Sequence, residues 1–188
     1  MNRKEEICDK ALELFIADGY DQTPLSRIAR ALVLTKAGLY HYFSSKEELL
    51  YFIHERHLKK PFEPILDAAE KITDPGERII FFIRSYTKEA MVQDPAAKVL
   101  VHEIQNLEPQ HRERILAVWK RALDILRGAI AEMEAEGKIK EVNRTFAAFA
   151  AIGMCSWTFY WFDYNRKESA EDLADTYVRI FLKGLCGN

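Results

Sequence analysis

Apolar residues recur at intervals of three and four along almost the whole chain, and no stretch alternates apolar and polar residues as a β-strand would. Helix-breaking pairs such as Pro75-Gly76, Asp94-Pro95 and Glu136-Gly137 separate the periodic stretches. The pattern therefore predicts an all-α protein of about nine helices. With 188 residues, 48% of them hydrophobic, the chain is long enough to bury one core with a smaller second domain against it.

Clear start and stop signals mark the first two predicted helices. The first, at about residues 3–18, ends at Gly19, which suits a left-handed C-cap. Thr23 is predicted to cap the second helix, with Pro24 in its first turn, where a missing N–H costs nothing.

A third and a fourth helix are predicted to follow after a short break at Val33. Thr35 is expected to cap a short third helix whose inward face carries Leu39 and Phe43. The run Ser45-Lys46-Glu47-Glu48 has the pattern of a capping box and predicts the start of the fourth helix.

A local basic surface coincides with these short helices. Residues 23–46 contain no Asp or Glu, although the whole chain has a net charge of -2. Two short helices joined by a tight turn are suited to placing the second helix in the major groove of DNA. At its leading end, the small residues Ala37 and Gly38 let the backbone approach DNA, and free N–H groups there suit a phosphate. The basic residues of the window are Arg27, Arg30, Lys36 and Lys46.

Residues 28–43, IARALVLTKAGLYHYF, and residues 45–50, SKEELL, resemble the DNA-binding domain of the TetR family. The resemblance implies a homodimeric transcriptional regulator of the repressor type that binds a roughly palindromic double-stranded operator. It implies a helix-turn-helix domain at residues 1–48 and a helical domain for ligand binding and dimerisation at residues 49–188. Carried over position by position, it implies DNA contacts by Ser26, Arg27, Thr35, Lys36, Gly38, Tyr40, His41 and Tyr42, and a phosphate contact by Lys46.

Three positions depart from the family pattern. Val33 stands where the family usually has a turn glycine, and a β-branched residue is costly at positive φ, so we expect a different backbone path there. Ala37 and Gly38 replace the more usual glycine and polar residue, which removes a side chain that would read bases. We therefore expect recognition to depend more on phosphate contacts and DNA shape.

Aromatic residues are concentrated in the last two predicted helices, near residues 143–165 and 169–185. In the TetR family the last two long helices pair with those of a second subunit, and weakly charged aromatic faces suit such an interface. An internal core stripe would give the same pattern. The residues expected at the dimer interface are Trp157, Trp161, Tyr177 and Phe181.

The predicted helices between Glu77 and Met133 mix aromatic with polar residues, as an apolar ligand cavity would, and ordinary core packing is the alternative. The C-terminal helices also weakly resemble family members that sense acyl-coenzyme A, which implies a fatty acid or acyl-coenzyme A effector. Pro61 and Pro64 are expected to bend or interrupt the fourth helix. This helix would connect ligand binding with DNA binding. The candidate ligand residues are Phe82, Tyr86, His102, Trp119, Arg84 and Arg121, the arginines for a carboxylate or phosphate.

A membrane protein and a secreted protein are less well supported. Residues 146–162 carry no charge, but they contain Gly153, Ser156 and Thr158 and only marginally reach the length of a membrane span. The three cysteines have no disulfide or metal spacing, and the charged N-terminus lacks a secretory pattern, so we expect a cytoplasmic protein.

An enzyme is also less well supported, because the chain has no phosphate loop, nucleophile elbow or cofactor motif. His54 and His57 have a metal-capable spacing without a third ligand nearby, so they are expected to be surface histidines and no metal is predicted. The remaining alternative is a helical ligand carrier or partner-binding module whose helix-turn-helix has decayed. Binding to operator DNA would separate it from a regulator.

Overall fold

The computed structural model describes residues 2–91, 100, 102–161 and 169–186, with the backbone alone at residues 159–161. The described residues are helical and contain no strand, so the all-α prediction is confirmed. The residues that directly follow the predicted helix break at Asp94-Pro95, up to residue 99, lie outside the described residues. The elements in chain order are α1 (Arg3–Asp18), α2 (Leu25–Ala31), α3 (Lys36–Tyr40), α4 (Lys46–His54), a π-helical turn (Glu55–Lys59), α5 (Lys60–Ala69), α6 (Pro75–Met91), a 3-10 turn (Ile104–Asn106), α7 (Pro109–Ala135), α8 (Arg144–Trp161) and α9 (Ala170–Cys186).

The described residues form two compact units. The first comprises those of Met1–Lys60 and Asp94–Leu116, and the second those of Pro61–Gln93 and Ala117–Asn188. The first unit thus includes all of α4 and the beginning of α7. The functional boundary expected after residue 48 stays a prediction, because compactness alone does not assign function.

The core of the first unit holds α3 in place. Leu39 and Phe43 are buried, as predicted, and pack with the apolar faces of α1, α2 and α4. Phe15 meets Tyr20 edge to face with ring centroids 5.1 Å apart, which fixes the chain as it leaves α1. Other members of this core are Ile7, Ala11, Leu25, Ile28, Leu49, Leu50, Ile53, Leu107 and Ile115.

Two of the predicted helix caps are present. Thr35 Oγ1 accepts from the Gly38 N–H at 3.0 Å, and Ser45 Oγ accepts from the Glu48 N–H at 2.9 Å. The Ser45 capping box is only half formed, because the Glu48 carboxylate instead accepts from the N–H and the hydroxyl of Ser44, both at 2.6 Å. The start of α4 is therefore bonded to Ser44, which lies in the segment between α3 and α4.

The start of α2 differs from the prediction. Pro24 occupies the N-cap position, and no side chain caps this helix. Thr23 is buried, and its hydroxyl donates to the carbonyl oxygen of Gly19 at 2.9 Å. The prediction that Thr23 caps α2 was wrong because a buried hydroxyl forms its hydrogen bond with the nearest free carbonyl, here at the end of α1.

The turn between α2 and α3 keeps a backbone path that normally needs glycine. Val33 has a φ of 55°, so the different path expected from its β-branch is not found. The Val33 N–H donates to the carbonyl of Arg30 at 3.1 Å, and the Leu34 N–H to that of Ala29 at 2.8 Å. These bonds form a Schellman motif at the end of α2, and the core contact of Leu34 accompanies it. The hydrogen bonds and the partly buried Leu34 hold Val33 in a conformation that its side chain disfavours.

A π-helical turn joins α4 to α5. The Lys60 N–H donates to the carbonyl of Glu55, five residues earlier. Pro61 has no N–H, and its ring crowds the carbonyl four residues before it, so a wider turn at this point relieves the crowding. Pro64 lies inside α5. The expected interruption is therefore a local widening, and the helical chain continues through both prolines.

In the core of the second unit, large apolar side chains pack beside small ones. α6 lies against both α8 and α9, and its Phe82 and Ile83 are fully buried. Small buried residues on α7 and α8 let these helices approach closely. These residues are Ala122, Ala129, Ala148, Ala151 and Cys155. Among the described residues, no helix is both long and apolar enough to cross a membrane.

His54 is a buried residue of α4, so the expectation of a surface histidine was wrong for this position. Its Nε2 atom is buried and accepts no hydrogen bond from the described residues. Burial, with a smaller contribution from nearby His57, lowers the pKa of His54 from 6.5 to about 4. The side chain is therefore neutral in the folded protein at neutral pH.

We expect replacing Val33 with glycine to stabilise the protein. The Val33 side chain is 95% exposed, so its removal loses no packing, whereas relief of the strained φ outweighs the greater chain entropy of glycine by about 0.5–1 kcal/mol. Ala37→Gly, at an exposed position of α3, is the matched control and should destabilise by up to about 1 kcal/mol. Urea unfolding measures both changes, and a less stable Val33→Gly protein would contradict the strain.

Acid should destabilise the protein partly through His54. Because the pKa of His54 is about 4 in the folded chain and 6.5 in the reference state, the unfolded chain binds the extra proton between these values. Stability is then lost as the pH falls below 6.5, by about 2 kcal/mol at pH 5, with no effect above pH 7. His54→Leu should lose less unfolding free energy than the wild type between pH 7.5 and pH 5. Equal losses in the two proteins would show that His54 does not contribute.

Candidate nucleic-acid interface and effector region

The outer face of α3 presents polar and aromatic side chains. Thr35, Lys36 and His41 are exposed, and Tyr40 is 45% exposed, because Leu39 and Phe43 take the inward positions. The Lys36 ammonium lies 5.8 Å from the centre of the Tyr40 ring. One face of a short helix therefore carries a cation, a phenol and an imidazole.

Four other predicted DNA contacts differ in their exposure and in the contacts that they make within the protein. A Cβ atom at Gly38 would lie 3.2 Å from Thr35 Oγ1, so a larger residue there would press on the cap of α3. Tyr42 is half-buried and meets the His41 ring edge to face, with centroids 5.3 Å apart. On α2, Ser26 is exposed, as is Arg27, whose guanidinium forms an ion pair with Asp18 at 2.7 Å. The structure thus brings the predicted residues of α2 and α3 together on one unit.

Lys46 is held by the loop that follows α1. Its Nζ atom donates to the carbonyl oxygen of Tyr20 at 2.6 Å and lies 4.0 Å from the centre of the Tyr20 ring. Partial burial lowers the pKa of Lys46, and burial raises the pKa of Tyr20 to about 12. The ammonium predicted to bind a phosphate therefore already binds the protein.

Glu47, next to Lys46, binds the beginning of α7. Its carboxylate accepts from the Glu108 N–H at 2.9 Å and lies 2.8 Å and 3.0 Å from His111 Nδ1. The Tyr51 ring stacks on His111, with centroids 3.9 Å apart and an angle of 7° between the planes. These four residues were not predicted, and the only signal in the sequence was the acidic first turn of α4.

Ligand atoms of Glu47, Glu108 and His111 lie within 4.8 Å of one another, as a metal site would require. The Glu47 carboxylate, however, already accepts hydrogen bonds from Glu108 and His111 at the positive end of the α7 dipole. An anion suits this position, whereas a cation is disfavoured there. The geometry therefore fits a hydrogen-bonded helix cap better than a metal site.

In the second unit, three of the predicted ligand residues lie together. Phe82, Tyr86 and Trp119 form one aromatic cluster with Phe62, whose ring centre is 4.7 Å from that of Tyr86 and 5.0 Å from that of Trp119. The Tyr86 hydroxyl forms a hydrogen bond with Ser156 at 2.7 Å, and burial raises the pKa of Tyr86. The cluster thus combines an apolar interior with one polar pair.

The other predicted ligand residues are placed differently. Arg84 Nε donates to Asp175 at 2.8 Å on the surface. Arg121 pairs with Glu70 at 2.6 Å and Asp67 at 2.7 Å, and the hydrogen bonds with these carboxylates, Glu70 first, raise the pKa of Arg121. His102 belongs to the first unit. Neither arginine is held towards the aromatic cluster, because each has an acidic partner that the sequence order did not reveal.

An exposed apolar face lies on α8. Trp157 is 58% exposed, and Phe146 and Phe149 are also exposed, at intervals that place them on one side of the helix. Gly153 lies between them along the helix, and a Cβ atom there would meet nothing within 4 Å. Ile180 adds an exposed apolar side chain on α9. Two helices of the second unit thus present apolar side chains at the surface of the single chain.

The other residues expected at a dimer interface differ in placement. Phe181 is 7% exposed and packs in the core of the second unit, so its side chain offers little surface to a partner. Tyr177 is half-buried, and its hydroxyl forms a hydrogen bond with Thr158 at 3.2 Å. The side chain of Trp161 lies outside the described residues.

Two family models match the chain. Residues 7–51 match bacterial regulatory proteins of the tetR family, and residues 73–185 match the tetracyclin repressor-like C-terminal domain. The fatty acid metabolism regulator protein of Bacillus subtilis strain 168 is 25% identical over 72% of this chain and 70% of its own. The negative regulator of the biofilm operon icaADBC of Staphylococcus aureus is 27% identical over 82% of this chain and 81% of its own.

Solved structures extend the similarity over nearly the whole chain. AibR in complex with isovaleryl coenzyme A and operator DNA has a TM-score of 0.83 and 30% identity over 95% of this chain and 97% of its own. The regulator PfmR of Thermus thermophilus has a TM-score of 0.81 and 30% identity over 94% of this chain and 97% of its own. Together with the two family models, these similarities show that the chain belongs to the tetR family of bacterial transcriptional regulators.

Proposed function

We propose that the protein is a homodimeric repressor that binds a roughly palindromic operator and releases it when an apolar small molecule binds. The observation that carries this proposal is the exposed face of α3, fixed from behind by buried Leu39 and Phe43. A helix held in this way is suited to entering the major groove. The caps of α3 and α4 are intact, which favours a working helix-turn-helix over a decayed one.

Similar proteins support the same conclusion. The relatives are transcriptional regulators and not enzymes, and AibR was solved with operator DNA. A DNA-binding regulator of a bacterial gene acts where the chromosome lies, so we place the protein in the cytoplasm. The exposed face of α8 with Trp157 is proposed as the dimer interface, because an apolar face of this kind is stabilised by covering it with a second copy.

The proposed effector is a fatty acid or an acyl-coenzyme A thioester. The relatives that sense or regulate such compounds support this class, as does the aromatic cluster of Phe62, Phe82, Tyr86 and Trp119, which suits an acyl chain. The paired hydroxyls of Tyr86 and Ser156 would bind the thioester or carboxyl oxygen. The ring cluster is closely packed, so ligand entry must separate the rings. Arg84 and Arg121 would bind a phosphate only after releasing their carboxylate partners.

Release from DNA requires a large difference in ligand affinity between two conformations. Shifting a population from 1:99 to 99:1 needs a difference of about 5.5 kcal/mol. Opening a packed aromatic cluster in one conformation and not in the other is a direct source of such a difference. Operator DNA must weaken effector binding by the same factor by which the effector weakens operator binding.

We expect Lys36 and Lys46 to differ in their effect on DNA binding. Lys36→Met should weaken operator binding and lower the slope of log affinity against log salt by about 0.9, the value for one lost phosphate contact. Lys46→Met should weaken binding with an unchanged slope and a lower melting temperature, because the Lys46 ammonium binds Tyr20. Fluorescence anisotropy on the DNA flanking the protein's own coding region gives both quantities.

Lys10→Met is the matched control for simple loss of charge, because Lys10 pairs with Glu13 on the surface of α1. It should leave both affinity and slope near the wild-type values. If Lys46→Met lowers the salt slope as much as Lys36→Met does, the result would indicate that Lys46 also contacts a phosphate. Saturation at one chain per operator duplex would contradict the dimer, and absence of any operator preference would contradict the regulator.

We expect isovaleryl-coenzyme A, palmitoyl-coenzyme A or palmitate to raise the melting temperature and to lower operator affinity. Tyr86→Phe should weaken binding of the active compound about fivefold, because the ring remains and a hydrogen bond worth about 1 kcal/mol is lost. Tyr51→Phe removes a hydroxyl bonded to Glu55 in the first unit and is the matched control. Stabilising compounds that leave operator affinity unchanged would contradict effector sensing.

A further inference from the structure

Consecutive side chains in the first turn of α4 fix this turn to different parts of the first unit. Lys46 donates to the carbonyl of Tyr20, Glu47 binds the first turn of α7, and Glu48 accepts from Ser44. The contact with Ser44 joins the turn directly to the segment that follows the recognition helix α3. Any movement of this turn therefore moves Ser44 and the segment that joins it to α3.

The contact with α7 is the most enclosed of these. The side chains of Glu47 and His111 are only 14% and 17% exposed. The Glu47 carboxylate accepts from His111 and from the Glu108 N–H, and the Tyr51 ring covers the imidazole. Removing the imidazole would leave a poorly hydrated carboxylate with one backbone donor, which is costly and would let the turn rearrange.

The same helix also contributes to the core of the second unit. α7 runs without a break from Pro109 to Ala135, and no proline or glycine lies between His111 and Trp119. These two residues are eight positions apart, about 12 Å along the helix axis. His111 and Trp119 thus belong to one continuous helix, His111 in the first unit and Trp119 in the second.

We propose that His111 is a positioning residue for DNA binding, which through Glu47 holds α4 and the recognition helix in the arrangement that fits the operator. The inference rests on the proposed function and adds to it a contact within the first unit, at the start of α7, that keeps the recognition helix in its DNA-binding position. When the Glu47–His111 contact is lost, the recognition helix loses its fixed position. His111 itself does not touch DNA in this mechanism.

The test compares three variants of the full chain. His111→Ala removes the donor to Glu47, and His111→Asn keeps an amide donor near the place of Nδ1. Arg127→Ala is the matched control, because it breaks an ion pair of the same helix with Asp124, within the second unit. Operator affinity and its salt dependence are measured by anisotropy, thermal stability by unfolding, and local order by hydrogen exchange of residues 36–54.

His111→Ala should bind operator about tenfold more weakly, a change typical of a coupling contact, with an unchanged salt slope. Its amides in residues 36–54 should exchange faster than those in the rest of the first unit. His111→Asn should recover most of the affinity and protection. Arg127→Ala should bind operator within about twofold of the wild type, even where its melting temperature falls.

Wild-type operator affinity in His111→Ala would overturn the proposal, as would equal weakening by His111→Ala and Arg127→Ala, which would indicate a general loss of stability. Unchanged exchange in residues 36–54 would also overturn it. If the wild type itself shows no operator preference, the proposed function fails, and the exchange of the three variants still decides whether His111 positions α4.

Discussion

The first turn of α4 is the point on which the geometry of the DNA-binding unit depends. Hydrophobic contacts of Leu39 and Phe43 press the recognition helix against the core, but such contacts have little directional preference. The hydrogen bonds of Lys46, Glu47 and Glu48 supply that direction, since each fixes one side chain to one acceptor or donor. The Lys46 ammonium, predicted to bind a phosphate, is therefore also part of the contacts that hold the protein together.

The turn before the recognition helix shows how strongly the surrounding contacts determine the backbone. Val33 adopts a positive φ although its β-branched side chain disfavours it, because the hydrogen bonds to Ala29 and Arg30 and the partly buried Leu34 fix the residues on both sides. The cost is small compared with the packing of α2 and α3 that it permits. Tertiary packing here overrides a local preference that glycine would satisfy without strain.

The contacts that organise the second unit are those of a packed apolar and aromatic core. Its core is dense, and its aromatic rings meet at tilted and edge-to-face angles, so a ligand can enter only by moving rings and the helices that carry them. α7 contributes both to this core and to the contact with Glu47 in the first unit.

The sequence by itself determined the all-α class, most helix boundaries, two of the caps and the inward face of α3. These features depend on residues within about one helical turn of each other, so periodicity and capping patterns report them directly. Only the tertiary structure decided the partners of Glu47, Lys46 and Arg121, and the inward position of Phe181. Glu47 and His111 are separated by 64 positions, and local patterns contain no information on such pairs. Their contact is set by how the helices pack, which also determines whether a charged side chain binds the protein or stays available for a ligand.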